Sequence, residues 1–237
     1  EAVAPDAPFT VTGYTVNPTV SAQTDFIYAV NKDQAKAPPA TLNFRHALSQ
    51  IEFKAKNSNS SIRVFIDGIK VANVKSKGNF EVTGETDVNF KDTDPAHVDT
   101  DNRPAGSRGE WKNQDLNATY SVTFPEKEVA SGSTVDLTYS SSGEFNTNSM
   151  YLLPQPLDVW TGEGGVAAAD AGQNKAYFVV NALIYNVADP SATFNKADNV
   201  VLWGKEPAPG ESDWSTKPIA VKIPAGQWED GKRYVYT

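Results

Sequence analysis

Apolar residues recur along this chain in short runs with a period of two, the spacing at which successive side chains point to opposite faces of a strand. Phe9, Val11, Tyr14 and Val16 alternate apart from a break at Gly13, and residues 25–30 give a second short candidate. Leu42 and Phe44 alternate with Asn43 and Arg45. Ile51, Phe53 and Ala55 then alternate with Glu52, Lys54 and Lys56, which predicts two half-buried strands. Residues 57–60 have hairpin-loop chemistry, after which Ile62, Val64 and Ile66 resume the pattern. Asp67-Gly68 predicts a turn, followed by Ile69, Val71 and Val74 and then, beyond Gly78, by Phe80 and Val82. Further strands are predicted at 120–124, 134–139, 150–153 and 177–187, the last being the longest apolar run. Ile219, Val221 and Ile223, a turn at 226–231 and a strand through Tyr234 and Tyr236 close the chain.

The punctuation between runs sets the organisation. Residues 31–39 are polar and end in Pro38-Pro39, neither of which can donate to a ladder, so a linker or boundary is expected there. Residues 1–38 then read as N-terminal strands and a linker, the remainder of an upstream β domain, and 39–237 as one sandwich domain. Residues 85–109 are long, acidic and rich in Asp and Pro, the composition of an exposed loop, and 161–173 form a Gly- and Ala-rich loop. Strands at this frequency, with no regular helical segments between them, favour an all-β antiparallel sandwich over a parallel α/β sheet. No fixed repeat period supports a propeller or solenoid.

Composition narrows the partners. A chain of 237 residues with 39% hydrophobic content can bury a core without metal or disulfide staples. Its net charge of −8 repels phosphate backbones, so nucleic acid is not an expected partner. The absence of Cys removes thiol nucleophiles and thiolate metal sites, and leaves the redox compartment open. No run of about 18 apolar residues predicts a transmembrane segment, and no signal segment opens the chain.

The chemistry of an enzyme is also missing. There are two histidines, His46 and His97, and no nucleophile-elbow, zincin or phosphate-cradling motif, so no catalytic residue and no cofactor is predicted. His46 reads as a structural residue at a strand end. Asp92, Asp94, Asp99 and Asp101, with His97 among them, are the one candidate calcium loop, but the spacing departs from an EF-hand and a solvated charged loop is the better reading. Trp111, Trp160, Trp203 and Trp214 fall in or near turn-rich segments, where flat apolar faces could stack on sugar rings. That makes a carbohydrate-binding surface module the alternative function.

Several fragments together carry a family resemblance: Leu42-Asn43-Phe44-Arg45-His46-Ala47-Leu48-Ser49-Gln50-Ile51-Glu52-Phe53, then Ile66-Asp67-Gly68-Ile69, Asn73-Val74 and Gly78-Asn79-Phe80. Upstream stands Gln23-Thr24-Asp25-Phe26-Ile27-Tyr28-Ala29. Leu152-Leu153-Pro154-Gln155 lies mid-chain, and Trp228-Glu229-Asp230-Gly231-Lys232-Arg233-Tyr234-Val235-Tyr236-Thr237 ends it. Their order and spacing resemble the fimbrillin-like surface proteins of Bacteroidales. The resemblance implies transthyretin-like β-sandwiches, export as a lipoprotein, and display at the cell surface, on the outer membrane or in a fimbria. It also implies a lipobox Cys and most of an N-terminal sandwich upstream of residue 1, and a further strand beyond Thr237.

A fimbrial (pilus) subunit or pilin-like adhesin follows as the expected function, with other pilin subunits or copies of itself as partners and host or bacterial receptors or glycans as further ones. Assembly by strand complementation would put the interaction in the end strands, at Phe9, Val11, Tyr14 and Val16 or at Tyr234 and Tyr236. There a neighbour could supply ladder hydrogen bonds and alternating side chains.

Overall fold

The computed structural model describes residues 9–29, 44–82, 109–139, 148–162, 165–166, 174–208 and 213–237. Strands dominate them: β1 (Phe9–Thr15), β2 (Ile27–Tyr28), β3 (Arg45–His46), β4 (Ser49–Lys56), β5 (Ile62–Val82), β6 (Gly109–Val129), β7 (Thr134–Asp136), β8 (Met150–Leu152), β9 (Tyr177–Asn186), β10 (Val200–Trp203), β11 (Lys217–Lys222) and β12 (Arg233–Tyr236). β5 is the spine of a six-stranded sheet. It carries β6 along one side, and on the other β9 against Ile62–Ala72 and β1 against Lys77–Val82. Both β10 and β11 line the far side of β9. The smaller sheet is built on β4, with β12 on one side and β7 and β8 on the other. Its ladders and those of the large sheet are antiparallel except β12 on β4, which is parallel.

The two sheets close on one core. Ile51 and Phe53 of β4 and Met150 and Leu152 of β8 meet Ile66, Ile69, Val71 and Val74 of β5, Tyr120 and Val122 of β6 and Phe178 of β9. The result is the antiparallel all-β sandwich expected from the alternation. Val16 and Val20 are buried in the same core, and the Ala47 N–H donates to Phe26 O at 2.7 Å. Residues 31–39, where a linker or boundary is expected, lie outside the described residues.

Strand β9 shows why its sequence reads as an unbroken apolar run. Phe178 and Val180 face the sandwich core, while Tyr177 and Val179 pack under Trp160 on the opposite face. Leu183 and Tyr185 fill a third cluster with Phe65, covered by Phe194 and Trp214. Both faces are buried, so there is no polar side for alternation to mark.

One expectation is overturned. Asp67-Gly68 does not turn the chain: β5 runs straight through it as a 21-residue strand with a register shift between Ile66 and Gly68. A Cβ at Gly68 would stand 3.0 Å from Asn181 Nδ2 and 3.3 Å from Val122 O, so glycine is there to let neighbouring strands approach at a bulge. Asp67 accepts from Thr216 Oγ1 at 3.0 Å. Across the bulge, residues 124–126 of β6 oppose Asp67, which places Pro125 where regular ladder pairing is interrupted. Residues 57–60 likewise carry the chain from one sheet to the other, because β4 and β5 belong to different sheets.

Candidate functional site

The two end strands occupy comparable places, one on each sheet. Among the described residues, β12 is laddered to β4 alone and β1 to β5 alone, so each leaves one side of its backbone without a strand partner.

The path into β12 begins at the turn through Asp230-Gly231. The Gly231 N–H donates to Leu48 O at 3.0 Å and the Gln50 N–H donates to Lys232 O at 2.9 Å, which starts a parallel ladder running Arg233 beside Gln50 to Tyr236 beside Phe53. In that pattern residues 232, 234 and 236 bond to β4, and Arg233 and Val235 turn their N–H and C=O outward. Side chains obey the same alternation. Tyr236 stacks on Phe53 with ring centroids 5.9 Å apart, meets Phe178 edge-on at 4.8 Å, and its hydroxyl accepts from Nε1 of the fully buried Trp228 at 2.9 Å. The Tyr234 hydroxyl accepts from the Glu229 N–H at 2.9 Å and donates to Gln227 O at 3.1 Å, closing the preceding turn on itself. Burial pushes both phenols above their ordinary range. On the outer face Arg233 reaches back to Glu52, and its guanidinium lies 4.5 Å from the Tyr139 ring centroid.

β1 is a different kind of edge. Phe9 opposes Val82 and Tyr14 opposes Gly78, but the register shifts between Val11 and Tyr14 at Gly13, whose N–H donates to Asn79 Oδ1 at 2.9 Å. Phe9 is exposed. Val11 packs against a buried cluster that includes Tyr28, Phe80 and Val82. Tyr14 lies on Phe26 and Trp111, each 5.3 Å away by centroid, and burial and then the Asp25 carboxylate raise its phenol. A bulge twists an edge away from regular pairing, whereas β12 has no register shift. The structure does not bring the six end-strand residues into one site, since β1 and β12 lie in different sheets, although Tyr14, Val16, Tyr234 and Tyr236 all contribute to the shared core.

The four tryptophans are likewise dispersed. Trp111 is half-buried and donates to Ala47 O at 2.6 Å; Trp160 is buried beside Tyr177; Trp214 is half-buried against the Phe65 cluster. Trp203 is the exposed one, at 42%, with Nε1 donating to Lys217 O at 3.1 Å. His46 sits in β3 opposite Ile27 and bonds through Nδ1 to the Asp25 carboxylate, clasping the β2–β3 pair. Asp92, Asp94, His97, Asp99 and Asp101 lie outside the described residues. Among the described residues no group of three His, Asp or Glu side chains is placed to hold a metal ion.

Sequence reading missed Glu52. Its place in Gln50-Ile51-Glu52-Phe53 marks it for the polar face, yet its side chain is fully buried there by Arg233, Ser149 and their neighbours. Only a partner far along the chain does this, and alternation carries no signal for it.

A family model described as fimbrillin-like matches residues 2–237. No curated protein matches the chain.

Proposed function

The chain belongs to the fimbrillin-like family, and on that premise we propose that it is a non-catalytic fimbrial subunit or pilin-like adhesin assembling by strand complementation at the outer edge of β12. Membership supports a pilin-like surface subunit in a family of structural pilins. No helix among the described residues is long and apolar enough to cross a membrane. Attachment to an outer membrane as a lipoprotein is part of the same reading.

The observation that carries it is the side of β12 turned away from β4, which has no strand partner among the described residues. A parallel, unbulged strand, held from behind by two tyrosines and by the ion pair of Arg233 with buried Glu52, turns the N–H and C=O of exposed Val235 outward. Such an edge is a template for one more strand. A neighbouring subunit could supply it, and the bulge at Gly13 makes β1 the poorer template.

Val235→Pro tests this directly, because it removes an outward N–H without touching the β4 ladder. The variant is expected to stay folded and to lose assembly, read by sedimentation and negative-stain microscopy. Filaments forming as in the parent would overturn the reading.

A further inference from the structure

The Glu52 carboxyl group is shut away from the protein surface. Its Oε2 accepts from Arg233 Nε at 2.8 Å and Nη2 at 2.5 Å, while Oε1 accepts from Ser149 Oγ at 2.5 Å and Gln50 Nε2 at 3.0 Å. The carboxylate side chain is 0% exposed. The pair is only partly desolvated, since the Arg233 side chain is 31% exposed, and it adds modestly to stability, but losing Arg233 strands the buried carboxylate. Its value must therefore be sought in what it specifies.

Alternation alone leaves the register of the strand it holds open. Arg233-Tyr234-Val235-Tyr236 places a tyrosine at every second position, and a slide of two residues that sets Val235 beside Gln50 would still deliver Tyr236 to the core side at Ile51. The hydrophobic pattern does not distinguish the two registers. Sliding the other way would set Lys232 beside Ile51 and aim its ammonium at the core, which burial forbids. In the observed register Arg233 meets Glu52 and Lys232 stays out of the core.

We propose that Glu52 is a positioning residue that pins β12 in this register, and so sets the level along β4 at which Val235 is presented to a neighbouring subunit. The second half rests on the strand-complementation reading; the pin itself does not. The geometry gives the pin a specific signature. Without it β12 should populate two registers, not merely bind more weakly.

The test uses the full-length chain, kept unassembled, with Arg233→Met, Glu52→Gln and the double substitution. Thermal unfolding is read beside cross-strand nuclear Overhauser contacts between β12 and β4. Arg233→Met should lower Tm by about 10 °C and add a second set of contacts placing Val235 beside Gln50. The double variant should recover more than half of the lost Tm while keeping both sets, since the stranded charge is gone but so is the pin. Arg233→Lys should keep one set. Additive losses in Tm, or a single native set of contacts in both Arg233→Met and Glu52→Gln, would overturn the pin. Should Arg233→Met fail to fold, Glu52→Gln alone still decides: two sets support the pin and one native set refutes it. Two registers found beside normal assembly of Val235→Pro would keep the pin and remove the complementation reading.

Discussion

Individual side chains divide their work clearly at Tyr236. Its ring fills space against Phe53 and Phe178, and its hydroxyl serves only as the acceptor for buried Trp228 Nε1. Tyr236→Ala should cost about 3–5 kcal/mol in denaturant unfolding, by loss of aromatic packing and a residual cavity. Tyr236→Phe should cost about 1–3 kcal/mol, because it strands one indole donor. Equal costs would show that the hydroxyl, not the ring, anchors the strand. The tyrosines also set a pH limit. Burial, then the Glu126 and Glu206 carboxylates, push the Tyr185 phenol up to about 12. Burial raises Tyr14, Tyr120, Tyr151, Tyr234 and Tyr236 as well. In the unfolded chain these phenols ionise near about pH 10. The unfolded state therefore loses protons first as pH rises, so the stabilisation is complete below about pH 10 and declines from there toward about 12. Chemical-denaturation midpoints followed across that window should fall steadily, and a flat profile would contradict the burial of these hydroxyls.

Elements differ in how firmly they are held. β5 and β9 have ladder partners on both sides, whereas β1 and β12 have one described partner each. Native-state hydrogen exchange should find the slowest amides in β5 and β9, with the outward amide of Val235 exchanging early. Protection of that amide in unassembled protein, equal to that of β9, would mean the edge is already covered. The same contrast explains what could be read from the chain. β4, β8, β9 and β12 were legible from the alternation or apolar runs of residues such as Ile51, Phe53, Phe178 and Tyr236. The first half of β6 was not, because Lys112, Gln114, Asp115 and Asn117 leave it with little apolar periodicity. β6 is laddered to β5 on one side, and that ladder pairs backbones without requiring apolar side chains. Bulges hid in the same way: the chemistry of Asp67-Gly68 is that of a turn, and only the approach of Asn181 and Val122 shows that the glycine serves a continuous strand. The parallel pairing of β12 with β4 depends on partners about 180 residues apart, a distance over which local pattern has no reach.

At the scale of the sandwich, each sheet carries β1 or β12 at an edge among the described residues, so a neighbour could extend either sheet without unfolding the core. A net charge of −8 opposes the approach of like copies, and any gain at the edge must exceed that repulsion. Assembly should therefore quicken when salt is raised to about 0.15 M, where screening shortens the repulsion to about 8 Å. The family reading was carried by dispersed fragments of the sequence, while the candidate contact surface became visible only once β12 was found parallel to β4, with no ladder on its outer side among the described residues. The most direct measurement installs a photo-crosslinking phenylalanine analogue at the exposed Val235 position in protein allowed to assemble, and identifies the captured peptide by mass spectrometry. Strand complementation at β12 predicts capture of one defined segment from a second copy, spread over more than one position in that segment when Arg233 is replaced by Met. Capture only within the same chain, or of no segment at all in assembled material, would contradict it.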